Sequence, residues 1–137
     1  MAKLLDTNVC IAVMRGHALI VDRMAYELSV ETLFISSISF LELIYGVHRG
    51  TRPMEEREKI MQFVGNGLQV IDFTMADAEI AGDVRGDLAA RGVPIGNFDL
   101  LIAGQALARG MILVTANTRE FERVRGLFVQ DWALAAE

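Results

Sequence analysis

Short apolar runs alternate along this chain with longer segments of helical period, and that alternation restricts the architecture more than any other feature. The runs KLLD (3–6), TLFIS (32–36), LQVI (68–71), MILVT (111–115) and LFVQ (127–130) read as strands. Most are apolar at consecutive positions, the pattern of strands covered on both faces in a parallel sheet. Helices fill the intervals. Between Asp77 and Gly92, the residues Ile80, Val84 and Leu88 fall on one stripe, and Gly92 is a natural stop. The acids Asp77, Glu79, Asp83 and Asp87 of that segment read as a solvated helix face, with Asp87 paired to Arg91 at i,i+4. The expected class is α/β.

At 137 residues the chain suits one domain over 1–137, because chains of this size bury roughly 70% of their unfolded surface. No linker, repeat or low-complexity stretch interrupts it. No apolar stretch approaches the ~20 residues of a membrane span, and MAKLLDTN lacks the pattern of a secretory leader, so a cytoplasmic location is expected. The single cysteine, Cys10, lies in NVCIAVM and reads as a buried, inert thiol. His17 and His48 are isolated and read as fillers rather than a catalytic pair.

With 13 basic and 18 acidic residues the formal charge is −5, which argues against unaided, charge-driven binding to nucleic acid. A nuclease is still allowed, because local sign matters more than the sum. Arg119, Arg123 and Arg125 gather beside NTREF, and Arg49 and Arg52 follow a second segment of interest. Each cluster by itself reads as a solvated face.

Four polar residues fall at or near strand-to-helix junctions. Asp6 ends the first strand in LLDTN, Glu42 follows the second in SSISFLELIYGV, Asp99 opens a helix in IGNFDLLIAGQA, and Asn117 follows the fourth strand in VTANTREF. In an open parallel sheet these junctions share one edge, so residues distant in sequence converge there. Each has a structural explanation when taken singly. Asp6 reads as a helix cap or Asx turn. Ser39 with Glu42, and Asn117 with Glu120, fit capping boxes, and Asp99 behind Asn97 complements a helix dipole. Capping does not explain why AKLLD, FLELIYGV and FDLLIAG set carboxylates in nearly unbroken apolar sequence. Desolvated carboxylates are costly unless a cation or several donors compensate. One shared hard cation compensates all three, and an all-oxygen donor set selects Mg²⁺ or Mn²⁺ over zinc. Such ions assist phosphodiester chemistry, and flanking arginines would hold the rest of an RNA strand.

At this point the chain resembles the PIN-domain ribonucleases, and within them the VapC toxins of bacterial toxin-antitoxin pairs. The resemblance rests on LLDTNVCI, ISSISFLELIYGV, RGVPIGNFDLLIAGQALARG, LVTANTREFERVRGL and the terminal DW, in that order. It implies a three-layer α/β/α sandwich around a mainly parallel five-stranded sheet. It also implies Mg²⁺- or Mn²⁺-dependent endoribonuclease activity, with Asp6 and Asp99 holding the metal and Glu42 acting at it or through water. The family's fourth acidic position falls on Asn117, a departure from the commonest pattern. Asn117 is expected at the metal, with Glu120 about one turn on and in an outer position. Further implications are a homodimer, a VapB-type antitoxin partner that sets an arginine against Asp6, Glu42 and Asp99, and an RNA substrate among the tRNAs, initiator tRNA first. No membrane association is expected.

Two other functions fit parts of the pattern. A metal-independent ribonuclease would use His17 and His48 and leave a cyclic phosphate, whereas metal-activated water leaves a 5′-phosphate. A non-catalytic α/β module would only hold Mg²⁺ at Asp6. LLDTN lacks the second aspartate of DxDxT phosphotransfer sites.

Overall fold

The computed structural model of the chain describes residues 1–134. In chain order the elements are β1 (Lys3–Leu5), α1 (Thr7–Met14), α2 (Ala18–Val30), β2 (Leu33–Ser36), α3 (Ser37–Val47), α4 (Pro53–Gly65), β3 (Leu68–Ile71), α5 (Met75–Ala90), α6 (Asn97–Ala108), β4 (Ile112–Val114), α7 (Thr118–Phe121) and β5 (Val129–Gln130). All five expected strands form. They make one sheet in the order β3-β2-β1-β4-β5, and every neighbouring pair is parallel, so the sheet is wholly rather than mainly parallel.

Alternate residues of each central strand feed opposite layers. Leu4 and Leu113 point into one core with Val84, Leu88, Ile102 and Phe121, contributed by α5, α6 and α7. Leu5, Val114, Leu33 and Ile35 point into the other, with Val9, Ile20, Met24, Leu43 and Ile60 from α1 to α4. This two-sided burial is the reason the strands read as unbroken apolar runs, and it produces the three-layer α/β/α sandwich. Trp132 closes the second core from beyond β5, with the Arg23 guanidinium 5.9 Å from its ring centre. Cys10 is fully buried there, and burial pushes its thiol pKa up, as expected of an inert cysteine.

The α5 and α6 helices meet at very short range. A Cβ added at Gly104 would stand 2.5 Å from the Ala81 Cβ, so only glycine at 104 allows this approach. One face of the pair departs from the expectation for α5. The helix starts at Met75, capped by Thr74 in a capping box with Asp77. Asp77 is therefore not on a solvated face: it is 2% exposed. It accepts from Gln105 Nε2 at 3.0 Å, from Arg109 Nε at 3.2 Å and from Thr74 N at 2.9 Å, locking α5 to α6. The expected Asp87–Arg91 pair is present at 2.7 Å.

Candidate active site

The strand order places the reversal of winding between β1 and β4, because the chain steps from β1 outward to β3 and then returns to the opposite side of β1. A crevice outside the carboxyl ends of the strands opens at such a point. Asp6 follows β1 directly and is the N-cap of α1. Its Oδ1 accepts from Thr7 N at 2.8 Å and its Oδ2 from Thr115 Oγ1 at 2.9 Å, so both oxygens of this 2%-exposed carboxylate have a donor. Thr115 directly follows β4, the strand beside β1, and its hydroxyl also accepts from Asn117 N at 3.0 Å.

Glu42 lies on α3, which is capped not at Ser39 but at Ser36, whose hydroxyl accepts from Ile38 N at 3.1 Å. The expected Ser39–Glu42 capping box is thus absent, since Ser39 is already inside the helix. Freed from capping, Glu42 turns toward α1 and accepts from Thr7 Oγ1 at 2.7 Å, with the Ser39 hydroxyl 2.9 Å from the same oxygen.

Asp99 sits in the first turn of α6, behind an N-cap that is Gly96 rather than Asn97. Its carboxyl group stands beside that of Glu120, both of them next to Gly96. Glu120 belongs to α7 and accepts from Gly96 N at 2.8 Å and from Asn117 Nδ2 at 2.5 Å. A Cβ at position 96 would come within 3.2 Å of Asp99 Oδ2 and 3.7 Å of Glu120 Oε1, so the glycine leaves room for both carboxylates. Asn117 makes no cap bond to the α7 backbone, contrary to the capping-box expectation. Its side chain is spent on orienting Glu120, and Glu120 is the residue that reaches Asp99.

The electrostatics follow from this crowding. Burial, with the charges of Asp6, Glu120 and Glu42 added, pushes the Asp99 pKa up to about 7. Glu120 moves the opposite way, held down first by the Gly96 N–H and then by Asn117 and Asp99. Asp99 is thus the member of the pair pushed toward its protonated form. Burial also raises Asp6, against the hydrogen bonds of Thr115 and Thr7 and with the charges of Glu42 and Glu120. Four carboxylates held together at this energetic cost, all with hard oxygen donors, suit a divalent cation that would relieve their repulsion. Among the described residues, no three His, Cys, Asp or Glu side chains already stand in ligating geometry. The fold gathers the carboxylates without closing them into a coordination shell.

His17 and His48 stand exposed at the ends of α2 and α3. The arginines expected beside NTREF are partly engaged: Arg123 donates to Pro94 O at 2.9 Å, and Arg125 lies 3.7 Å from Asp87. Thr7, Ser39, Thr115 and Gly96 were not among the residues expected at the site. The available signal was hydroxyl residues just after the strands, Thr7 beside Asp6 in LDT and Thr115 closing LVT.

Fold and site together define a class: parallel α/β/α domains with a carboxylate cluster at the sheet's winding reversal. The chain belongs to the PIN domain family, whose profile matches residues 3–127, and its similarity to VapC ribonucleases runs along nearly its full length. It is 42% identical over 130 residues to the tRNA(fMet)-specific endonuclease VapC of Shigella flexneri, covering 95% of this chain and 97% of that one. The structure of VapBC2 from Rickettsia felis bound to a promoter DNA fragment superposes with a TM-score of 0.90 at 33% identity, over 96% of this chain and 99% of that one. DNA-bound VapBC from Salmonella typhimurium gives a TM-score of 0.89 at 37% identity, over 96% and 98%. Among the described residues no helix is long and apolar enough to cross a membrane.

Proposed function

We propose that this chain is a divalent-metal-dependent endoribonuclease, the toxin of a VapBC-type pair, built as one PIN domain over 1–137. The observation that carries this reading is the convergence of Asp6, Glu42, Asp99 and Glu120 on one crevice, close enough for their charges to raise the pKa of Asp99. Asp6 and Asp99 would hold Mg²⁺ or Mn²⁺. Such an ion supplies positive charge against the scissile phosphate and acidifies a water. Glu42, held by Thr7, and Glu120, held by Gly96 and Asn117, would orient attacking water and accept its proton. Asn117 was expected at the metal, and the geometry favours Glu120 in that nearer place with Asn117 behind it.

The naming of the Shigella relative for tRNA(fMet) supports initiator tRNA as the first substrate to try. The complexes of the two structural relatives support a VapB-type antitoxin as partner, with an arginine against the carboxylates. A homodimer working in the cytoplasm completes the proposal. The test is partner-free protein on total RNA and on initiator tRNA, with Mg²⁺, Mn²⁺ or EDTA. Expected are discrete cuts bearing 5′-phosphates, lost in EDTA and in Asp99→Asn. Undiminished cleavage in EDTA leaving cyclic phosphates would return the chemistry to His17 and His48. Metal binding without any cleavage would leave only a metal-holding module.

A further inference from the structure

Beside the carboxylate cluster a groove of about 560 Å³ runs between α1, α3 and α4, with Glu42 in its wall. That volume lies within the roughly 300–1,000 Å³ of ligand-binding clefts. Three cations line it: Arg15 at the end of α1, Arg49 after α3, and Lys59 on α4. All three are exposed, and none has an ion-pair partner among the described residues. In a chain of net charge −5, six other cations are drawn into ion pairs. Three of the seven cations without an ion pair among the described residues therefore line this one groove, whereas beside NTREF Arg123 donates to Pro94 O and Arg125 lies near Asp87.

We infer that this groove is the track for the single-stranded RNA leading to the scissile phosphate, with Arg15, Arg49 and Lys59 contacting successive phosphates. The inference rests on the nuclease reading above. The groove's other free carboxylate, Glu56, sits in the first turn of α4, where the helix dipole favours an acid, and packs against Gly50. Glu42 is occupied by Thr7. The three cations are thus left to an external polyanion. Arg49 is further presented by Tyr45, whose ring centre is 5.1 Å from the guanidinium carbon. A flat guanidinium fixed in this way can meet a phosphate with its edge or a base with its face.

The test measures anisotropy of a short labelled single-stranded oligoribonucleotide across a salt series, on the Asp99→Asn protein, which retains the groove. Arg15→Ala, Arg49→Ala and Lys59→Ala should each weaken binding roughly three- to tenfold and flatten the log–log salt slope by about 0.7. Arg57→Ala removes the same charge from α4 outside the groove and should change affinity less than twofold. Tyr45→Ala should mimic a mild Arg49 loss that Tyr45→Phe restores. In the active protein the groove variants should raise KM with kcat little changed. If the parent cuts RNA while the groove variants behave like Arg57→Ala, the track is wrong and the nuclease reading stands. A parent that neither binds nor cuts RNA overturns both. Groove variants that keep RNA but lose an antitoxin protein overturn the inference and give the groove to that partner.

Discussion

The carboxyl groups of Asp99 and Glu120 stand side by side and are driven apart in acidity: burial and neighbouring charge raise Asp99, while the Gly96 N–H and Asn117 hold Glu120 down. Two helix starts and a three-residue bond network converge to hold this pair. Gly96 N and Asn117 Nδ2 fix Glu120, while Asp6 and Glu42 add negative charge behind Asp99.

Stability of the metal-free protein should depend on pH through this pair. The folded-state pKa of Asp99, about 7, lies above the ordinary value of 3.8, so the folded state binds more protons between the two. The stabilising contribution is complete below pH 3.8 and disappears as pH rises through about 7. Asp99→Asn should therefore be more stable than the metal-free parent at pH 8. We expect a gain of about 1 to 2 kcal/mol, reduced from the full shift because solvent reaches the pair. Urea unfolding at several pH values checks it, and equal pH slopes for parent and variant would count against the raised Asp99 pKa.

Which of Asn117 and Glu120 stands nearer the metal is decided by Mn²⁺ titration. Glu120→Gln removes a charge next to Asp99 and should weaken Mn²⁺ binding about 100-fold. Asn117→Ala, which only releases Glu120, should cost about 10-fold. The opposite ranking would put Asn117 at the ion and Glu120 outside it.

Thr115 connects β4 to Asp6 by its hydroxyl and receives Asn117 N on the same oxygen. Thr115→Val keeps the shape, strips both bonds and leaves a buried carboxylate one donor short, at a cost of about 1 to 3 kcal/mol. Thr115→Ser should recover most of that loss together with Mn²⁺ affinity. Thermal melts alongside metal titration separate this from a general packing defect, which Thr115→Ser would not repair.

The α5–α6 lock should show as acid sensitivity. Burial pushes Asp77 upward, but the bonds from Arg109, Thr74 N and Gln105 outweigh it and hold the carboxyl below its ordinary value of 3.8. Its contribution is present above that value and is lost as pH falls through the depressed one. Asp77→Ala should cost about 2 to 4 kcal/mol at pH 7, and the loss should shrink in acid. RNA cleavage by the folded variant should persist, since Asp77 lies away from the carboxylate cluster. A destabilisation equal at pH 3 and pH 7 would remove the charge from the explanation.

Local pattern was enough to set the five strands, the α/β class and the stop of α5 near Gly92, because two-sided burial makes each strand an apolar run and helical spacing needs only neighbours within a turn or two. The same local signal marked Asp6, Glu42 and Asp99, since a carboxylate inside an apolar run is conspicuous wherever the run folds. What local pattern misjudged were bonds between elements. Asp77 looked solvated because Gln105 and Arg109, its partners, lie about thirty residues away on another helix. Ser39 and Glu42 had capping-box spacing, yet α3 began earlier, at Ser36, and Thr7 of α1 took Glu42 instead. Thr115 and Gly96 matter only because β4 pairs with β1 and α7 approaches the start of α6. Spacing in the sequence determined which residues carry charge next to the core. The parallel pairing of β1 with β4, a non-local contact, decided which of those charges share one crevice.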